Sequence, residues 1–187
     1  SVSNAGDVNR DGFDDIVVGA SGVDSSSGES YVIFGGATFG PTLELSSLDG
    51  TKGFSIPALE SGDASGNSVA RAGDVNGDGF SDVLIGARFA DPNGAATAGQ
   101  SYVLFGQSSF GASFDLATLD GTNGFFINGA DSGDLAGEVG NGGDHNGDGV
   151  DEIIIGAITG DGKALSNSGE AYVLFGELAY DWLPRGG

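Results

Sequence analysis

The stretch GDVNRDGFDDIVVGA, residues 6–20, decides the fold because it occurs three times. Its other copies are GDVNGDGFSDVLIGA at residues 73–87 and GDHNGDGVDEIIIGA at residues 143–157. The copies lie about 70 residues apart, and self-similarity at a fixed period is the signature of a repeat architecture. The sequence therefore predicts one repeat array over residues 1–187.

Further recurring blocks define the extent of each repeat. ESYVIFG returns as QSYVLFG and EAYVLFG, and SSLDGTKGFSI returns as ATLDGTNGFFI. We place the repeats at about residues 1–60, 61–131 and 132–176, followed by a divergent tail at residues 177–187. The first repeat is entered part-way and the last lacks the LDG block. We therefore expect the chain to be part of a longer product or a subunit that assembles with others.

Short β-branched runs bounded by turn residues indicate strands. The runs Ile16-Val17-Val18, Val83-Leu84-Ile85 and Ile153-Ile154-Ile155 are continuously apolar, which predicts burial on both faces. Each repeat also has a Tyr-Val run, a GF segment and a segment that precedes the aspartate block. These bring the total to about four strands in a repeat, which is the content of a propeller blade. The predicted fold is all-β, with three blades of antiparallel strands. Because propellers close with about four to eight blades, we expect further blades from the same polypeptide or from other chains.

The aspartate block of each repeat carries oxygen atoms at alternate positions. A glycine at its sixth position, Gly12, Gly79 or Gly149, permits a tight loop, and the carbonyl of the next residue adds a ligand. An all-oxygen set suits Ca²⁺ rather than Zn²⁺ or copper. The sequence predicts three calcium sites, formed by Asp7, Asn9, Asp11, Phe13 and Asp15; by Asp74, Asn76, Asp78, Phe80 and Asp82; and by Asp144, Asn146, Asp148, Val150 and Glu152.

An EF-hand shares the first six positions of this loop but differs after them. It places a bidentate glutamate at position twelve, at the start of a helix. Here Val18, Ile85 or Ile155 stands at position twelve, inside a strand run, and the acid stands at position nine. The loop is therefore expected to join two strands.

The loops resemble the DxDxDGxxD calcium loops of FG-GAP repeats, the blade unit of integrin α-subunit propellers and of bacterial surface proteins. Phe34-Gly35 and its two counterparts match the FG element, and Gly19-Ala20 and its counterparts match the start of GAP without the proline. Asn at position three and Glu152 at position nine depart from the pattern. The resemblance implies a calcium-binding module outside the cell or at its surface, which contacts proteins or glycans and is not an enzyme.

Three alternatives stay open from the sequence. The loops could be Asp-Gly turns that bind no metal. Calcium could serve only to fix the blades. The chain could also be an accessory part of a secreted enzyme such as a polysaccharide lyase or a phospholipase.

Composition excludes several classes of partner. The 27 acidic and 6 basic residues give a formal charge of −21, which argues against nucleic acid and anionic membranes and favours cations. No apolar run reaches the roughly 20 residues of a membrane span. There is no cysteine, so disulfides and thiolate metal sites are impossible.

The remaining candidate residues have simpler interpretations. His145 is the only histidine, which rules out a multi-histidine site within one chain, and we expect it to be exposed at loop position two. In the acidic pairs Asp14-Asp15 and Asp151-Glu152, the second member belongs to the loop and the first is expected to be solvated. The aromatic tail around Trp182 is interpreted as a plug for a local core or as a docking segment.

Overall fold

The computed structural model describes residues 1–38, 40–161 and 166–177. The tail residues Tyr180, Trp182 and Leu183 lie outside this description. Within it no helix is long and apolar enough to cross a membrane. The strands are β1 (Val2–Gly6), β2 (Asp15–Ala20), β3 (Glu29–Ile33), β4 (Gly53–Pro57), β5 (Ser68–Gly73), β6 (Asp82–Ala87), β7 (Gln100–Leu104), β8 (Gly124–Asn128), β9 (Ala136–Gly143), β10 (Glu152–Ala157) and β11 (Glu170–Leu174). Short helical turns lie at Val23–Ser26, Leu45–Ser47, Pro92–Gly94 and Leu116–Thr118.

The strands form three separate antiparallel sheets, which we call blades 1, 2 and 3. Blade 1 has the order β1-β2-β3-β4, blade 2 has β5-β6-β7-β8, and blade 3 has β9-β10-β11. Within each blade every strand pairs with the next along the chain, so the connections inside a blade are hairpins. The prediction of an all-β chain of propeller blades is confirmed. The innermost strand β5 packs against both β1 and β9, so blade 2 lies between the other two.

The core consists of two layers, one on each face of blade 2. Val17 and Val32 of blade 1 belong to the same buried cluster as Val83 and Ile85 of blade 2. On the opposite face of blade 2, Leu84 shares a buried cluster with residues of blade 3. Apolar contact between sheets therefore holds the array together.

Only the middle blade has its central strand buried on both faces. Every residue of β6 is buried, whereas Ile16 of β2 is 46% exposed and Ile154 of β10 is 38% exposed. The prediction that all three runs are buried on both faces is wrong for blades 1 and 3. The reason is that, among the residues that the structure describes, no neighbouring blade covers their outer faces, so the array of three blades is open.

Glycine allows neighbouring blades to approach closely. A Cβ on Gly19 of blade 1 would lie 2.1 Å from the carbonyl oxygen of Gly66, and one on Gly86 would lie 1.8 Å from that of Gly137. Contacts this short exclude any side chain. The glycine after the central apolar run is thus required by blade stacking in blades 1 and 2, whereas Gly156 of blade 3 meets only Glu138 of its own blade.

Candidate metal centres

The aspartate loop of each repeat connects the first two strands of its blade. In blade 1 it spans the gap between β1 and β2, as the sequence predicts. The sixth-position residues Gly12, Gly79 and Gly149 have φ angles of 92°, 87° and 94°. A residue with a side chain is strained in this left-handed region, so the glycine prediction is confirmed.

Side-chain oxygens of the first loop are turned inward onto the loop's own backbone. Asp7 accepts hydrogen bonds from the N–H groups of Asp11 at 3.0 Å and Gly12 at 2.9 Å. Asn9 Oδ1 also accepts from Asp11 N–H at 3.0 Å, and Asp11 Oδ1 accepts from Phe13 N–H at 2.9 Å. The side chains at positions one, three and five are therefore gathered around one short stretch of backbone.

The second and third loops repeat this arrangement. In the second loop, Asp74 accepts from Asp78 N–H at 3.0 Å and from Gly79 N–H at 2.8 Å. In the third, Asp144 accepts from Asp148 N–H and Gly149 N–H, each at 3.1 Å. The hydrogen bonds of positions three and five recur as well. The hydrogen bonds of positions one, three and five are therefore shared by all three loops, as three copies of one sequence predict.

The acid at position nine is the first residue of the second strand and is buried. Asp15 accepts from Val8 N–H at 2.8 Å and from Gly35 N–H at 2.7 Å. Asp82 makes the equivalent bonds to Val75 N–H and Gly106 N–H, both at 2.9 Å. Position nine therefore ties the loop to the glycine of the FG element, a link that sequence reasoning missed.

Burial changes the acidity of these two carboxyl groups. It raises the pKa of Asp15 to about 6 and that of Asp82 to about 8, against the lowering effect of their two backbone hydrogen bonds. The negative charges of the neighbouring loop carboxylates also raise the two pKa values. A cation beside either carboxyl group would lower its pKa and so favour the ionised form.

In the third loop the carboxylates converge. One oxygen from each of Asp144, Asp148 and Glu152 lies within 4.8 Å of the other two. Among the residues that the structure describes, these form the only such group of three acidic or metal-binding side chains. The longer Glu152 side chain, which the sequence marked as a departure, reaches the other two acids.

Glu152 also carries a buried oxygen without a partner. Its Oε2 accepts from His145 N–H, but its Oε1 has no hydrogen bond within the described part of the chain. In blades 1 and 2 both oxygens of the position-nine aspartate are bonded to backbone. An unpaired buried oxygen beside two further carboxylates fits a cation, which would satisfy it.

The backbone of the first and second loops also supports the next blade. The carbonyl of Asp7 accepts from Ser81 N–H at 3.1 Å, and the carbonyl of Asp74 accepts from Asp151 N–H at 3.0 Å. The carbonyl of Val8 accepts from Gln107 N–H at 3.0 Å. The loops therefore lie in the interfaces between blades, which the sequence does not reveal.

Loop position two shows the effect of a neighbouring blade. Val8 is 2% exposed and Val75 is 5% exposed, so the expectation that this position points outward is wrong for both. His145 is exposed, as predicted, because none of the described blades covers it. In the first and second loops, the residue at position two is therefore buried at the contact with the next blade.

Asp151 and Arg10 make contacts between blades that the sequence interpretation missed. Asp151 Oδ2 accepts from Asp74 N–H at 2.9 Å, so the expectation that Asp151 is solvated is wrong. Arg10 donates to the Asp78 carbonyl at 3.4 Å and its guanidinium lies 5.2 Å from the centre of the Phe80 ring. Asp14, by contrast, is exposed as expected.

Comparison with known families finds a repeat model that matches two stretches of the chain. A family model described as FG-GAP repeat matches residues 1–33 and 65–104. The two matched segments contain the first three strands and the aspartate loop of blades 1 and 2. No curated protein matches the chain.

Proposed function

We propose that the chain is a calcium-binding propeller module of FG-GAP repeats that acts in extracellular or cell-surface interactions and has no catalytic role. FG-GAP repeats point to an integrin-like adhesion or interaction module. The partners that we propose are protein or glycan ligands. Further blades, from the same polypeptide or from other chains, would complete the scaffold.

The observation that carries the proposal is the convergence in the third loop. Calcium binds oxygen ligands at about 2.3–2.6 Å, so two ligands of one ion lie within about 5 Å of each other. The oxygens of Asp144, Asp148 and Glu152 meet this condition, and the buried Oε1 of Glu152 lacks any other partner within the described residues. These features support a cation at this position.

The shared loop geometry extends the proposal to all three repeats. In each, the side chains of positions one, three, five and nine and the carbonyl of position seven would hold one ion. Calcium supplies positive charge that offsets the repulsion among the loop carboxylates. The proposed ligands are Asp7, Asn9, Asp11, Phe13 and Asp15; Asp74, Asn76, Asp78, Phe80 and Asp82; and Asp144, Asn146, Asp148, Val150 and Glu152.

Calcium in these loops would also stiffen the junctions between blades. The loop carbonyls of Asp7 and Asp74 accept hydrogen bonds from the following blade, so an ordered loop presents a fixed acceptor. A module whose blades keep a constant orientation offers a constant surface to a ligand. This is why we propose a structural role for the metal and an interaction role for the blades.

Thermal unfolding with and without calcium tests the proposal. Binding to the native state raises stability by mass action, so saturating calcium should raise the Tm above that of the chelated protein. Magnesium at the same concentration should have a smaller effect, because it demands stricter octahedral geometry. Coincident melting curves in calcium and in chelator would reject a calcium-dependent scaffold.

A further inference from the structure

An arginine stands at position four of the first aspartate loop, where the other two loops have glycine. Arg10 has a φ angle of 59°, and its counterparts Gly77 and Gly147 have φ angles of 72° and 79°. This left-handed region strains a residue that has a side chain, whereas glycine adopts it freely. A strained residue that two other copies of the loop replace by glycine points to a function for its side chain.

The side chain of Arg10 lies on the second loop. Its Nη1 donates to the main-chain carbonyl of Asp78 at 3.4 Å, and the guanidinium lies 5.2 Å from the centre of the Phe80 ring. A Cβ on Gly79 would lie 3.1 Å from Arg10 Cζ, so the guanidinium also lies directly against this glycine. Arg10 therefore contacts positions five, six and seven of the second loop in succession.

These contacts leave the proposed ligand atoms of the second loop free. At Asp78 the proposed ligand is the carboxylate, whereas Arg10 bonds to the main-chain carbonyl. At Phe80 the proposed ligand is the main-chain carbonyl, whereas Arg10 lies over the ring. Within the described part of the chain, no carboxylate oxygen lies within 4.0 Å of the guanidinium. Arg10 is thus placed as a positioning residue that does not compete with the metal.

The place of Arg10 in its own loop connects the two proposed sites. Its neighbours in sequence are Asn9 and Asp11, which are both proposed ligands of the first site. A calcium ion that binds both would fix the backbone at Arg10, and with it the direction of the side chain. A fixed Arg10 would then order the second loop before metal enters it. Binding to a loop that is already ordered loses less conformational entropy and is therefore tighter.

We propose that Arg10 couples the first two calcium sites, so that calcium in the first loop tightens binding in the second. The inference rests on the proposed function, because it requires that the loops bind calcium. A cation–π contact at an exposed site supports a coupling of about two- to fivefold in affinity. Coupling is reciprocal, so calcium in the second loop tightens the first site by the same factor. Gly77 has no side chain to reach the third loop, so the arginine contact is confined to the first of the two described junctions.

Calcium titration of the ¹⁵N-labelled chain follows each site separately. The amide of the position-six glycine donates to the position-one aspartate in each loop, so its shift reports the occupation of that loop. Asp11→Ala disables the first site. In the presence of Arg10, this substitution should weaken calcium binding at the second site, followed at Gly79, by about two- to fivefold. In combination with Arg10→Gly, which installs the residue of the other two loops, it should leave the affinity of the second site unchanged.

Two further variants separate the contact from charge. Arg10→Lys keeps the positive charge but lacks the planar guanidinium, and it should lose most of the coupling. Lys52→Ala removes a positive charge from an exposed turn and should keep the coupling. Loss of the coupling in Lys52→Ala would mean that net charge, and not the contact of Arg10, is responsible.

A purely structural role for Arg10 has a different signature. It would change the affinity of the second site by one factor, whether or not the first site is disabled. Equal effects of Asp11→Ala with Arg10 and with Arg10→Gly, or no effect in either, would therefore overturn the coupling while calcium binding itself stands. If no position-six glycine of the wild-type chain responds to calcium, the proposed function fails and the coupling fails with it.

Discussion

Asp151 of blade 3 accepts a hydrogen bond from the backbone N–H of Asp74, the first proposed ligand of the middle loop, at 2.9 Å. The same two residues are joined a second time, because Asp151 N–H donates to the Asp74 carbonyl at 3.0 Å. A residue of one blade therefore fixes the metal loop of the blade before it. Metal binding and blade stacking are expected to be coupled.

Asp151→Ala should weaken calcium binding at the middle loop and lower the stability of the protein. The substitution removes the acceptor for Asp74 N–H, and loss of a hydrogen bond to a charged group costs about 1–3 kcal/mol. Calcium titration calorimetry and thermal unfolding measure the two effects. Asp14→Ala is the matched control, since Asp14 holds the same loop position in blade 1 but is exposed. Equal behaviour of the two variants would contradict the coupling.

Asp78→Ala should abolish or strongly weaken the middle calcium site and leave the outer two in place. Repeats interact mainly with their immediate neighbours, so the effect should decline with distance along the array. Calorimetry should report about two remaining sites instead of three. Loss of all calcium binding would mean that the blades respond as one cooperative unit.

Asp63 should make stability depend on pH. Its pKa is raised from 3.8 to about 6 in the folded protein, so folding favours the protonated carboxyl. The folded state then binds more protons than the unfolded state between these values, and stability falls as pH rises through 6. Asp63→Asn should therefore gain stability relative to the wild type between pH 4 and pH 7.5. A constant difference in free energy of unfolding across this range would contradict the burial of this carboxyl.

The open outer faces should cause the chain to associate. On blade 3, Ile154 and Val173 are register partners and are 38% and 50% exposed. Adjacent exposed apolar residues on a sheet promote association. Light scattering in calcium should show species larger than the monomer, and Val173→Lys should reduce them. Ser46→Lys is the control, because it adds the same charge at an exposed turn and should not reduce association. A stable monomer of the wild-type chain would contradict the expectation.

The local features of the fold could be predicted from the sequence. The loop ligands, the glycine at position six and the strand runs each lie within about ten consecutive residues, so spacing and residue type define them. The loops lie between strands as predicted. All-β blades follow from the same local pattern.

Contacts between blades could not be predicted in this way. The bond between Asp151 and Asp74 joins residues 77 positions apart, and the burial of Val8 depends on a strand of the next blade. The sequence shows that Ile16 and Ile154 are apolar, but not that each outer blade has a neighbour on only one side within the described part of the chain. The buried Asp63 is likewise a product of packing between a connection and a distant loop.

Anomalous diffraction from crystals grown in calcium tests the central claim most directly. The three aspartate loops share one sequence pattern and the same backbone hydrogen bonds at positions one, three and five, so each should hold one ion. The predicted result is three anomalous peaks, one surrounded by the position one, three, five, seven and nine ligands of each loop. One peak, or none, at full calcium saturation would contradict the assignment of these loops as equivalent calcium sites.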